Sequence, residues 1–355
     1  MSVSPSRRAL LQRVGALAGA GQAQGQGQRP NPAARRRKQP PVGELVNTFE
    51  FEDAAKAVLD PDLFALVAGG DRAPFERMTF RPRMFVSSTG LDLTTPLFGE
   101  PMFAPIVVGP VADQRRFHPA GEPEMVRGAG AAKTVAVIST RSSEPLEKIV
   151  AAASAPVWFQ VFSEDDPAAS RDRAQKAIAA GCKAVWITLG SAAAYAPRGR
   201  ASSSRPAWRT LEAIARDLTV PVALKGVIAR EDVLEAQKRG FKGLVISAGV
   251  AAPADTAVLD VLPRVVDAVG PGLRVLFDGS VRRGTDVLKA LALGAAAAVV
   301  SRPAAWGLAA YGADGVRTVL ELLQSELARA MITVGRPTVD RIDRTLVAIH
   351  RRVGA

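Results

Sequence analysis

The sequence predicts an α/β chain folded as a (β/α)8 TIM barrel with an N-terminal helical extension. Eight short apolar runs recur from residue 104 onward, and each ends in polar or glycine residues. Amphipathic stretches with helical spacing separate them and usually end at Gly. The runs are almost continuously apolar, as strands of a parallel sheet covered on both faces must be. Eight such units suit a closed barrel, which takes about 250 residues, better than an open doubly wound sheet.

The elements follow in chain order. Residues 1–40 stand apart, with eight Lys or Arg and no Asp or Glu. They account for most of the net charge of +12 and leave +4 on residues 41–355, so the basic balance does not point to nucleic acid. Arg7-Arg8 precede a modest apolar stretch, Gly15–Gly21, in the manner of a twin-arginine export signal, which predicts a periplasmic or exported protein. The alternative is a disordered basic arm on a cytoplasmic protein. No window approaches the ~20 apolar residues of a membrane span. The barrel domain is expected over 41–355, with a helical and loop segment at 45–103. The strand runs are Pro105–Ala112, Thr134–Thr140, Pro156–Phe162, Ala184–Gly190, Pro221–Val227, Gly243–Gly249, Arg274–Ser280 and Ala296–Arg302. Helices are expected at Pro167–Ala180, Thr210–Leu218, Ala229–Arg239, Val258–Val269 and Thr285–Leu293, with the last ones within 306–349 and His350 in the final helix.

A single Cys, Cys182, excludes an internal disulfide and any multi-cysteine metal site. Two histidines, His118 and His350, leave little scope for imidazole chemistry. Barrel chemistry sits at the C-terminal ends of strands, so Ser139, Gln160, Thr188, Lys225, Ser247–Gly249, Asp278–Arg282 and Ser301–Arg302 are the residues to watch. The seventh run closes with Asp278-Gly279-Ser280-Val281-Arg282 and the eighth with Ser301-Arg302-Pro303. Small residues let backbone N–H groups approach an anion, and Arg offers a two-pronged fork, so these loops predict a phosphate site. The competing reading is a salt-bridged loop with Arg282 and Arg302 paired to Asp278 and Asp286. Lys225, on a buried strand end, needs an anionic or polar partner, because an unpaired buried ammonium is costly.

The segment Val275–Gly294, with Ser301-Arg302-Pro303 and Trp306-Gly307-Leu308, resembles the FMN-dependent L-2-hydroxy-acid oxidase and dehydrogenase family. Matches at Phe80–Arg83, Ala104–Ile106, Phe117–Glu122, Ser139–Ser143, Trp158–Gln160 and Leu224–Val227 extend the resemblance over residues 48–350. It implies an FMN cofactor, an oxidoreductase acting on a CH–OH donor, and by analogy a homo-oligomer. Arg282 and Arg302, with the backbone of Gly279, Ser280 and Ser301, would cradle the phosphate, and Asp278 would take a ribityl hydroxyl. Gln160, Thr188, Ser139 and the backbone of Ile106 and Val107 would meet the ring, with Lys225 at its N1–C2 carbonyl edge. Ser280 and Ser301 replace family glycines, so a left-handed turn at either would be strained.

The substrate half departs from the family. Where the family has Asn-His-Gly-Gly-Arg after the sixth strand, this chain reads Ser247-Ala248-Gly249-Val250-Ala251-Ala252. Gly249 stands at the position of the proton-removing His and Ala252 at that of the carboxylate-clamping Arg. The family's two tyrosines become Phe64 and Phe162, and its His-orienting aspartate becomes Gly190. The second clamp Arg falls near Pro197, with Arg198 or Arg200 as possible stand-ins. Losing an acid/base group costs about 10²–10⁴ in rate. The expectation is therefore an FMN-binding oxidoreductase, of unidentified small-molecule substrate, that does not turn over ordinary hydroxy acids. The alternatives are a non-catalytic flavin-binding barrel, a pseudoenzyme, or a barrel that holds another phosphate ligand.

Overall fold

β-Branched and bulky apolar side chains suit a pleated surface covered on both sides, and the apolar runs form strands on that basis. In the computed structural model these are β1 Ile106–Val108, β2 Val135–Ser139, β3 Val157–Phe162, β4 Val185–Thr188, β5 Val222–Lys225, β6 Gly243–Ser247, β7 Arg274–Asp278 and β8 Ala297–Val300. They pair in sequential order, and β8 bonds in parallel to β1, which closes the barrel. The structure describes residues 39–83, 85–86, 89–163, 166–190, 207–247, 257–270 and 272–350. The export signal expected within 1–40 lies outside them, as do Pro197, Arg198, Arg200, Gly249 and Ala252. The described residues belong to one compact unit, Lys38–Ala355.

The helices between strands are α1 Glu122–Ala131, α2 Leu146–Ala151, α3 Pro167–Ala179, α4 Trp208–Ala215, α5 Arg230–Lys238, α6 Val258–Ala268 and α7 Gly284–Ala292, followed by α8 Arg302–Thr333. Their starts follow local chemistry. At α3, for example, the Asp166 carboxylate accepts from the Ala169 N–H, and Pro167 opens the first turn.

Side chains alternate along each strand. Val107, Val137, Trp158, Trp186, Val245, Leu276 and Val299 pack together inside the barrel. Ile106, Val108, Ile138, Val161, Ile187, Leu224, Ile246 and Phe277 join the larger core outside it. Phe98 lies against Trp158 at 5.2 Å between ring centroids, and Trp158 lies 5.8 Å from Trp186. Phe98 is carried by the antiparallel pair Thr95–Leu97 and Glu100–Met102 and abuts Gly243, the first residue of β6. The N-terminal mouth of the barrel is thus stoppered by aromatic rings, which leaves the opposite mouth for chemistry.

Three expectations need correction. The segment 45–103 is not only helix and loop: it also holds that antiparallel pair and the strand Met78–Phe80. The segment 306–349 does supply two helical stretches, the parts of α8 on either side of the break at Gly312, but it does not end in helix: short 3-10 turns and the strand Val347–Ile349 follow. His350 is not helical. It follows that strand, which pairs with Met78–Phe80, and its Nε2 lies 2.7 Å from Thr79 Oγ1. Two β-branched residues, Val347 and Ile349, favour the extended form there over a further helical turn.

Candidate functional site

The parallel register sets the polar strand ends in one layer. Ser139 lies opposite Gln160, Thr188 opposite both Phe162 and Lys225, and Ser247 opposite Asp278. Above this layer is a cavity of about 730 Å³, within the range of small-molecule and cofactor sites. Ser139, Gln160, Lys225, Asp278, Gly279, Ser280, Arg282, Ser301 and Arg302 all line it. Thr188 stands behind the wall and accepts from Gln160 Nε2 at 2.5 Å. Ile106 and Val107 are buried within β1, and the wall on that side begins at Pro110.

The departures from the resemblance are placed as follows. Phe162 lines the cavity. Phe64 packs against the core instead, and the neighbouring Leu66 and Val67 reach the wall. The Gly190 N–H donates to Ser163 Oγ at 2.9 Å, away from the wall. Neither histidine lines the cavity: His118 Nδ1 accepts from the Ala120 N–H at 3.3 Å, next to Glu124 and Gly312.

Lys225 is buried, and its ammonium is ion-paired with Asp278 across the cavity floor. Asp278 Oδ2 also lies 3.5 Å from Ser247 Oγ. The lysine thus has the partner its burial requires, and the pair sets a positive and a negative group side by side under the cavity.

The anion end is built differently from the salt-bridged loop that could have stood there. Among the described residues, neither Arg282 nor Arg302 pairs with a carboxylate. Both guanidiniums reach the Gly69 carbonyl, Arg282 Nη2 at 2.5 Å and Arg302 Nη1 at 3.4 Å. The Arg282 guanidinium lies 4.7 Å from the Trp306 ring centroid, and the Trp306 indole N–H donates to Val67 O at 2.9 Å. Burial, with the neighbouring charges of Arg302 and Arg72, pulls the Arg282 pKa down to about 10, so it stays a cation at neutral pH. Asp286, buried, is held instead by Arg72 at 2.5 and 3.2 Å and by the backbone N–H groups of Arg282 and Arg283, both at 2.9 Å. Gly70 passes so close that a Cβ there would sit 2.8 Å from Arg302 Nη1 and 2.9 Å from Arg282 Nη2. Ser280 adopts φ +50, the strained region, whereas Ser301 at φ −103 does not.

Sequence reasoning missed Arg72 and the Gly69–Gly70 strap. The local signal was an Ala68-Gly69-Gly70-Asp71-Arg72 stretch, in which two adjacent glycines before a charged pair mark a tight passage of backbone. The residues present fit a ligand with an anionic phosphate end and a flat, polar ring end. The converging arginines and the glycine-lined strap suit the first, and Ser139, Gln160 and Lys225 suit the second.

Residues 66–203 and 191–349 match the FMN-dependent dehydrogenase family. The chain is 36% identical over 342 residues to 4-hydroxymandelate oxidase of Amycolatopsis orientalis, covering 83% of this chain and 96% of that protein. It is 33% identical over 360 residues to L-lactate oxidase of Nostoc sp., covering 86% and 99%. A crystal structure of mandelate oxidase superposes with a TM-score of 0.78 at 35% identity, covering 86% of this chain and 99% of the other. A flavocytochrome b2 variant superposes with a TM-score of 0.81 at 27% identity, covering 90% and 92%. Fold, strand-end layer and relatives agree: the chain belongs to the FMN-dependent dehydrogenase family of hydroxy-acid oxidoreductases, whose cofactor is FMN.

Proposed function

We propose that this protein holds FMN in the cavity and acts as an oxidoreductase on a substrate other than an ordinary L-2-hydroxy acid. The cavity wall carries that reading: it keeps the cofactor-facing set and offers no histidine and, at Phe162, a hydrocarbon ring. When bound, FMN supplies the acceptor for the electron pair removed from the substrate. Arg282, Arg302 and the backbone at Gly279, Ser280 and Ser301 would bind its phosphate. Asp278 would orient the ribityl chain. Ser139, Gln160 and Lys225 would meet the ring, with Thr188 fixing the Gln160 amide, while Ile106 and Val107 stay buried within β1 and do not reach the wall. Lys225 would place positive charge where the reduced ring gathers negative charge. The lost groups are the proton acceptor and the carboxylate clamp, at Gly249 and Ala252.

The visible spectrum of FMN-reconstituted protein tests occupancy: a flavin band that survives desalting is expected, and its absence overturns the cofactor assignment. Anaerobic mixing with lactate, glycolate and mandelate tests the chemistry. No bleaching is expected, and bleaching by any of the three overturns the altered-substrate reading. Phe162 and the histidine-free wall also support a second reading, a non-catalytic flavin barrel. Reduction of the flavin by some other CH–OH donor would separate the two in favour of an enzyme.

A further inference from the structure

We propose that Arg72 is a positioning residue for the cofactor phosphate, acting through Asp286; this rests on the assignment of the cavity to FMN. Arg72 lies 214 residues from Asp286, at the end of the glycine strap, and grips both carboxylate oxygens. One of those oxygens, Oδ2, also accepts the backbone N–H groups of Arg282 and Arg283. The Asp286 carboxylate therefore sets the turn that carries Ser280 at φ +50 and Arg282 toward the cavity. Its side chain is 2% exposed, against 22% for that of Arg72, so its charge is barely screened by water.

A bare carboxylate in that place would repel a phosphate. Arg72 cancels it. The charges gathered here are Arg72, Arg282, Arg302 and Lys289 against Asp286, Glu52 and Glu76. Glu52 accepts from the Gly69 N–H at 3.1 Å. With Arg72 the cluster carries one net positive charge to offer an anion, and without it none. The same arginine lies 3.5 Å from the Ser280 carbonyl and 5.3 Å from the Phe49 ring centroid, so the N-terminal segment is part of the cradle rather than a cover laid over it.

The effect is specific to phosphate, which gives a readout that a merely structural residue would not move. Dissociation constants are measured for FMN and for riboflavin, the same ring and ribityl chain without phosphate, by quenching of flavin fluorescence. Wild type is expected to prefer FMN. Arg72→Ala is expected to weaken FMN at least tenfold, about 1.4 kcal/mol, while leaving riboflavin within about twofold. Arg72→Ala/Asp286→Asn, which removes the uncancelled charge, is expected to recover part of the preference. Arg72→Lys, which keeps the charge but loses the fork, is expected to fall between and serves if the alanine variant does not fold. An unchanged preference in the folded variants, or an equal loss for both ligands, overturns the proposal. A wild type that does not prefer FMN over riboflavin overturns the FMN assignment instead.

Discussion

Ser280 holds its side chain at φ +50 in the middle of the anion loop. A left-handed non-glycine residue costs about 1–2 kcal/mol. Ser280→Gly is therefore expected to stabilise the protein by about 1 kcal/mol in denaturant titration, with flavin affinity kept, because the backbone N–H stays in place. Cys182 is the opposite case, a residue with no stake in the site. Burial pushes its thiol up to about 12, and the thiolate is the reactive form. It is expected to resist a thiol reagent at neutral pH in the native protein and to react fully once denatured. At this scale the sequence was legible where side chains close a strand. Ser139, Gln160, Lys225, Asp278, Arg282 and Arg302 stand on one wall because each follows an apolar run of known direction. It was illegible where partners are remote. The pairing of Lys225 with Asp278 spans 53 residues, and nothing local to Arg72 announces Asp286.

At the scale of elements, the eight strands match the apolar runs to within a few residues at each end, because polar and glycine residues stop them. The errors gather where the pattern is short. Three-residue strands such as Val347–Ile349 carry too little alternation to be told from a loop or a helix end. α8 is two helical stretches, parted at Gly312, where φ +60 and ψ −141 break the helix. The break folds the helix so that Gly307 and Gly315 meet backbone to backbone. A methyl group at either position has nowhere to go. Gly315→Ala is expected to lower stability by about 2 kcal/mol or more, seen as a lower melting temperature. The fault would fall on the helix that begins with Arg302, so flavin retention is expected to fall with it.

Over the whole molecule, the charge is unevenly spread along the chain. Residues 1–40 carry eight positive charges and the remainder only four net. Truncation before Gln39 is expected to leave flavin binding and melting temperature unchanged, because the described residues that line the cavity begin at Leu66. The same segment carries the Arg7-Arg8 pair, and if it directs export, that export is expected to depend on both. Fractionation of cells making wild type and an Arg7→Lys/Arg8→Lys variant checks this, and equal distribution of the two would count against export. The barrel was readable from eight repeats of one unit, whereas the chemistry was not, because it depends on residues the repeats do not constrain.

Trp306 joins both halves of the anion end. Its ring lies under Arg282, and its indole N–H holds the Val67 carbonyl at the root of the strap. An indole in that position is an optical gauge built into the fold. Its emission overlaps flavin absorption, so loading of the cavity should dim the protein's own fluorescence, and Trp306→Phe should reduce that signal. Occupancy could then be followed in real time on the purified protein without any label.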